Sequence, residues 1–149
     1  MLERTLLLVC LLVGSPVAMA DEDANKGALA AMDAFLAAFN ARDANAQADT
    51  LNYPHVRIAS GRVNYYPDKA AFVAASVANV PRLIEAEGWH HSTWDDMQIV
   101  QSSADKVHIA VVFSRYHENG ERYVSHRSLY VVDNVDGHWG VRARSSFAP

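Results

Sequence analysis

The sequence predicts an α+β fold: three N-terminal helices packed on a strongly curved, mainly antiparallel β-sheet. Three observations carry that prediction. From Asp23 the chain is alanine-rich, with apolar residues at helical spacing. Beyond Gly88 it consists of strand-forming stretches joined by turn residues. Those stretches are long, so a sheet built from them must twist and curl around something.

The helices come first. In "DANKGALAAMDAFLAAFNARDANA", Leu29, Met32, Leu36 and Phe39 recur at spacings of three and four, and Phe35 widens the stripe, which is the pattern of one amphipathic helix. Asn40, Arg42 and Asp43 interrupt it, and Asp43 suits the N-cap of a shorter second helix reaching about Leu51. The segments 56–59 and 63–65 flank Ser60-Gly61 as a small strand pair. Asp68 can cap a third helix carrying Phe72, Val73, Val77 and Val80, which Pro81 kinks or restarts and Gly88 ends.

Four strands follow, over 91–102, 106–118, 121–133 and 138–147, joined by "SAD", "NG" and "NVDG". In the second of them Val107, Ile109, Val111 and Phe113 alternate with His108, Ala110, Val112 and Ser114, so the odd set should face the helices and carry Arg115 and His117 with it. The next strand depends on the Asn119-Gly120 hairpin. A two-residue turn sets Phe113 opposite His126, whereas a bulged three-residue turn sets it opposite Ser125 and brings Arg127 inward.

Residues 1–20 have the layout of a cleavable secretory signal: Arg4, an apolar run over 6–13, the breakers Gly14 to Pro16, then Ala18-Met19-Ala20. The run is too short to span a bilayer, which takes about 20 residues. The expectation is a periplasmic or secreted protein that begins at Asp21, has one domain over 21–149, and has no membrane attachment once the signal is cut. The sole cysteine, Cys10, leaves with the signal, so the domain has no disulfide, thiol nucleophile or thiolate ligand. Its stability must then come from apolar burial, which a composition of 50% hydrophobic residues supports. A net charge of −4 with scattered Lys and Arg gives no footprint for nucleic acid and no polybasic cluster for lipid.

The order of elements, together with "FLAAFNARDANA", "YPHVRIASG" and the terminal "DGHWGVRARSSF", resembles the cone-shaped nuclear transport factor 2-like superfamily, which includes ketosteroid isomerases and SnoaL-like cyclases. The resemblance spans nearly all of 21–149. In the isomerases a helix tyrosine and two sheet carboxylates do the chemistry; alignment puts Phe35, Ile58 and about Leu129 at those positions. All three are apolar, and a phenyl ring donates no hydrogen bond, so that mechanism is not expected. The resemblance also implies a homodimer formed through the outer sheet face. His55 and Arg57, alternating with Val56 and Ile58, are expected at the surface, and Arg142 and Arg144 on the face away from the core.

The richest stretch is "GWHHSTWDD", residues 88–96. His90 and His91 are adjacent, so on a strand they point to opposite faces and do not share a metal; a site would need His91 with His117 or His126 and a carboxylate from Asp95 or Asp96. Ser92, His91 and Asp95 are neighbours on one strand and do not form a hydrolase relay. The expectation is packing by Trp89 and Trp94, with no metal and no cofactor. The ligand-binding set read from the sequence is His91, Trp94, Phe113, Arg115, His117 and Arg127, lining a cone that takes a small, largely apolar ligand. Two alternatives stand beside it. One is a SnoaL-like or dehydratase/isomerase-type enzyme with His91, His117 or His126 as general base. The other is an interaction module using the outer sheet face.

Overall fold

The computed structural model describes residues 22–149; the expected signal segment lies outside the described residues. The chain runs α1 (Glu22–Asn40), α2 (Ala44–Asp49), β1 (Leu51–Ala59), β2 (Arg62–Tyr66), α3 (Lys69–Glu87), β3 (His91–Ser102), β4 (Lys106–Tyr116), β5 (Arg122–Val135) and β6 (His138–Ser146). The strands form one sheet in the order β2-β1-β6-β5-β4-β3, antiparallel throughout except where β1 meets β6.

Acidic Glu22 and Asp23 occupy the first turn of α1, where they complement the helix dipole. Its buried stripe is Ala24, Ala28, Ala31, Met32, Phe35 and Ala38. Leu29, Leu36 and Phe39, part of the stripe expected from spacing, are only half-buried. The alanines take the sheet side because the helix lies close: a Cβ on Gly27 would sit 2.4 Å from Cδ1 of Trp139. Against this helix the odd residues of β4, Val107 to Phe113, are buried as expected and form one core cluster with Tyr130, Val132 and Val141.

Asp43 caps α2 by accepting from Ala46 N–H at 2.9 Å, and Asp68 caps α3 by accepting from Ala71 N–H at 2.9 Å. Helix α2 stops at Asp49, short of the expected Leu51, because the Thr50 carbonyl already accepts from Val141 N–H of β6 and Leu51 is buried as the first residue of β1. Helix α3 runs through Pro81 without a break. The carbonyl that Pro81 leaves free belongs to Val77, a residue on the exposed face where water can bond it. Gly88 closes the helix at φ 64°, its N–H bonded to Ile84.

The order and packing of the helices differ from the expectation of three N-terminal helices in the concavity. Only α1 lies across the sheet; α3 follows two strands, leans on α2 and β2, and has no buried residue. It stands over the concave face as a roof. The curl is produced at bulges: between Trp94 and Asp96 and between Ile99 and Gln101 on β3, at Tyr123 on β5 opposite Arg115 and Tyr116, and on β6 opposite Val131 and Val132.

Candidate functional site

Between α1, α3 and the concave face lies a cavity of about 500 Å³. One face of α3, including Phe72, Ser76, Asn79, Leu83 and Glu87 at helical spacing, lines it. This is why the helix has no buried residue: its inner side meets a cavity. Opposite stand Phe35 of α1 and Trp94, Phe113 and Tyr130 of the sheet. The rings of Phe35 and Trp94 meet Tyr130 edge-on at 6.0 and 5.8 Å.

Polar groups enter this aromatic chamber from two sides. Across the sheet the register places Asn64, Arg57, Arg144 and Tyr130 in one row on four neighbouring strands, and all four line the cavity. Arg144 is there because β6 carries an extra residue, Arg142, between Val141 and Ala143, which pair with Val132 and Val131. That bulge reverses the alternation, so Val141 and Arg144 both face inward. Arg142 instead donates from Nε to Asp133 at 2.8 Å. Arg57 donates from Nη2 to the Ala148 and Pro149 oxygens at 3.1 and 2.9 Å, and Arg144 from Nη1 to the Tyr130 hydroxyl at 3.0 Å. Burial, then the Arg144 charge, lowers the Arg57 guanidinium to about 10, still a cation at neutral pH.

On the other side Arg115, buried, donates from Nη1 to Glu87 Oε2 at 2.7 Å. Tyr123 donates to the same oxygen at 3.0 Å; burial and then that bond push the phenol up to about 12, so it stays a donor. Four buried N–H groups on cavity-lining residues have no acceptor among the described residues: Nε of Arg57, Arg115 and Arg144, and Nε1 of Trp94.

His55 of β1 also lines the cavity. Its Nδ1 lies 3.1 Å from the Val141 carbonyl, which can only accept, so Nδ1 carries the hydrogen and Nε2 is left as a lone-pair acceptor. Burial lowers its pKa to about 4, keeping the ring neutral. Tyr66 stacks on it at 5.9 Å.

Of the six residues expected to bind ligand, Trp94, Phe113 and Arg115 line the cavity; His91, His117 and Arg127 do not. His91 pairs with Tyr116 and stacks on it at 4.9 Å, while Ser92, opposite Arg115, takes the inward position. His117 lies past the end of β4, its Nδ1 3.0 Å from the Gly88 carbonyl and its ring on Tyr123. Phe113 pairs with His126 and Val112 with Arg127, so Arg127 is exposed on the outer face. His126 takes the inner side, 5.5 Å from the Phe113 ring, and its pKa is lowered by burial and then by Arg115. No group of three or more His, Cys, Asp or Glu able to hold a metal occurs among the described residues.

Within "GWHHSTWDD", buried Trp89 donates to Ser92 Oγ at 2.9 Å, and the Asn40 amide clamps the Ser92 backbone with two bonds of 2.9 Å. The positions assigned by resemblance also need correction. Ile58 and Leu129 are 50% and 40% exposed and do not line the cavity. Their inward neighbours are Arg57 and Tyr130, so the cone is polar where the alignment made it apolar. His55, Arg57 and Arg144, expected outside, are inside for the same reason: the phase of β1 and β6 is shifted by one residue.

A family model described as NTF2-like protein (DUF6841) matches residues 23–146. No curated protein matches the sequence. Among solved structures, an NTF2-like protein with a cystatin-like fold from Novosphingobium aromaticivorans superposes with a TM-score of 0.70 at 11% identity, covering 85% of this chain and 82% of that one. An NTF2-like protein of unknown function from Pseudomonas putida gives 0.69 at 12% identity over 88% and 90% of the two chains. A ketosteroid isomerase-like protein from Erwinia carotovora atroseptica gives 0.61 at 19% identity over 87% and 99%. At these identities the likeness is one of fold.

Proposed function

Because this chain belongs to the family described as NTF2-like protein (DUF6841), we propose that it binds a small, largely apolar ligand in its cone. The observation that carries this is the cavity of about 500 Å³ walled by Phe35, Phe72, Trp94, Phe113 and Tyr130, within the usual range for ligand pockets, about 300–1,000 Å³. The roof supports the same reading. Helix α3 has no fully buried residue and turns one whole face toward the cavity, leaving room for a ligand beneath it. The neutral fluorescent probe N-phenyl-1-naphthylamine should bind saturably at one site, and Ala75→Trp, which fills the cavity from α3, should abolish the signal with the circular dichroism unchanged. Lack of saturable binding by the parent protein would sink the proposal.

A second reading, an enzyme moving a proton, is favoured by His55, a neutral histidine on the cavity wall whose Nδ1 is held by the Val141 carbonyl. Enolisable ketones that displace the probe should then exchange their α-protons in D₂O in the presence of the protein and not with His55→Phe; equal exchange with and without protein excludes it.

Export through the segment 1–20 and pairing with a second copy belong to the same proposal. The outer sheet face supports the pairing: Ile58 lies beside Val63 and, through Ser145, in line with Leu129, all exposed and apolar. Sedimentation should show a dimer that Ile58→Lys dissociates, and a monomeric parent protein would rule it out.

A further inference from the structure

We propose that the ligand's headgroup is a carboxylate seated on Arg57 and Arg144, so that the cone selects apolar or aromatic monocarboxylic acids. This rests on the reading that the cone holds a ligand, and it names the class.

Charge is the first argument. The chain carries −4 overall, yet among the described residues the cavity is lined by five arginines and one acidic side chain, Glu87, which is already paired with Arg115. None of the three ion pairs among the described residues includes Arg57 or Arg144. These two are register partners on neighbouring strands, whose backbones run about 4.8 Å apart. Two like charges carried on adjacent strands, half-buried and paired with no acidic side chain among the described residues, repel each other. An anion between them removes the repulsion.

Hydrogen bonding is the second argument. One nitrogen of each guanidinium is fixed by the protein, Arg57 Nη2 on the Ala148 and Pro149 oxygens and Arg144 Nη1 on Tyr130. Those bonds hold the forks in place. The other Nη of each makes no hydrogen bond among the described residues and is left accessible as a donor. A carboxylate supplies two acceptor oxygens in the plane that guanidinium forks match. The aromatic rings around Tyr130 then accept the apolar body of the same molecule.

The test compares 2-naphthoate with 2-naphthamide, and phenylacetate with phenylacetamide, as competitors of N-phenyl-1-naphthylamine at pH 7. Each pair shares a ring system and differs in charge. The acid should displace the probe at least about tenfold more tightly than its amide, as a charge-assisted pair would give. Arg144→Met should shrink that preference below about twofold. Arg127→Met, on the outer face, should leave it intact. Should Arg144→Met misfold, Arg57→Met reads the same preference, and the parent protein alone decides the acid-against-amide comparison. Equal displacement by acid and amide overturns the carboxylate site while ligand binding stands. Displacement by inorganic phosphate as effective as by the acids overturns it too, since the apolar body then contributes nothing. Absence of probe binding overturns the ligand reading itself.

Discussion

His55→Phe should reverse the order of stability between variant and parent as the pH falls. In the unfolded chain the imidazole titrates near 6.5, and in the fold burial holds it at about 4. Above the unfolded value both states carry a neutral ring, so stability is at its full level. As the pH drops from 6.5 toward 4, the unfolded chain takes up a proton that the folded chain refuses, and the fold loses about 1.4 kcal/mol per pH unit. The loss across that window comes to about 3 kcal/mol and levels off below it. Phenylalanine keeps the contacts with Tyr66 and Phe72 but gives up the bond to the Val141 carbonyl, a loss of about 1 kcal/mol at every pH. The parent should therefore be about 1 kcal/mol more stable at pH 7.5 and about 2 kcal/mol less stable at pH 4. Urea unfolding followed by circular dichroism at pH 7.5, 6, 5 and 4 measures both curves, and carboxylate titrations common to the two cancel in the difference. Parallel curves would show that His55 is not held neutral by burial, and the tautomer argument would fall with it.

Two further outcomes are expected. Gly27→Ala gains helix propensity of up to about 1 kcal/mol, but its methyl meets the Trp139 ring at 2.4 Å; overpacking of about 1–3 kcal/mol should prevail, and the melting temperature should fall. Glu87→Gln strands the Arg115 guanidinium, whose side chain is 8% exposed; since Glu87 is itself partly exposed the loss should be about 2 kcal/mol, and the double variant with Arg115→Met should recover part of it in urea unfolding.

Helix α1 and β4 were legible because each presents one apolar side to one core, and α2 and α3 because each opens on an aspartate. Asp43 and Asp68 announced their caps, and Val107 to Phe113 announced their face. The site was not legible on β1 and β6, where the usual assignment of apolar residues to the inside fails. Here the inner face borders a cavity that takes His55, Arg57 and Arg144, whereas the outer face carries Ile58, Val63 and Leu129, so apolarity no longer marks a side. On β6 the bulge at Arg142 adds a phase change that composition does not record. On β5 the position of Arg127 hung on a hairpin with two reasonable registers. The one available signal on β1 was Leu51, Tyr53, His55 and Arg57 at spacing two, starting from a buried leucine.

The single extra residue in β6 ties the interior of this domain to its exterior. Beyond the bulge the strand turns Arg144 and Ser146 inward and leaves Phe147 outside, 74% exposed. Slipping that end of the strand by one position, so that the bulge is absorbed, would exchange the two sets together: the chamber would give up one of its arginines for an aromatic, and the back would give up its aromatic for a cation. Ligand chemistry and outer-surface chemistry are thus two readings of one backbone phase. An insertion or deletion near Arg142 would change both properties at once, with every side chain that defines them left in the sequence.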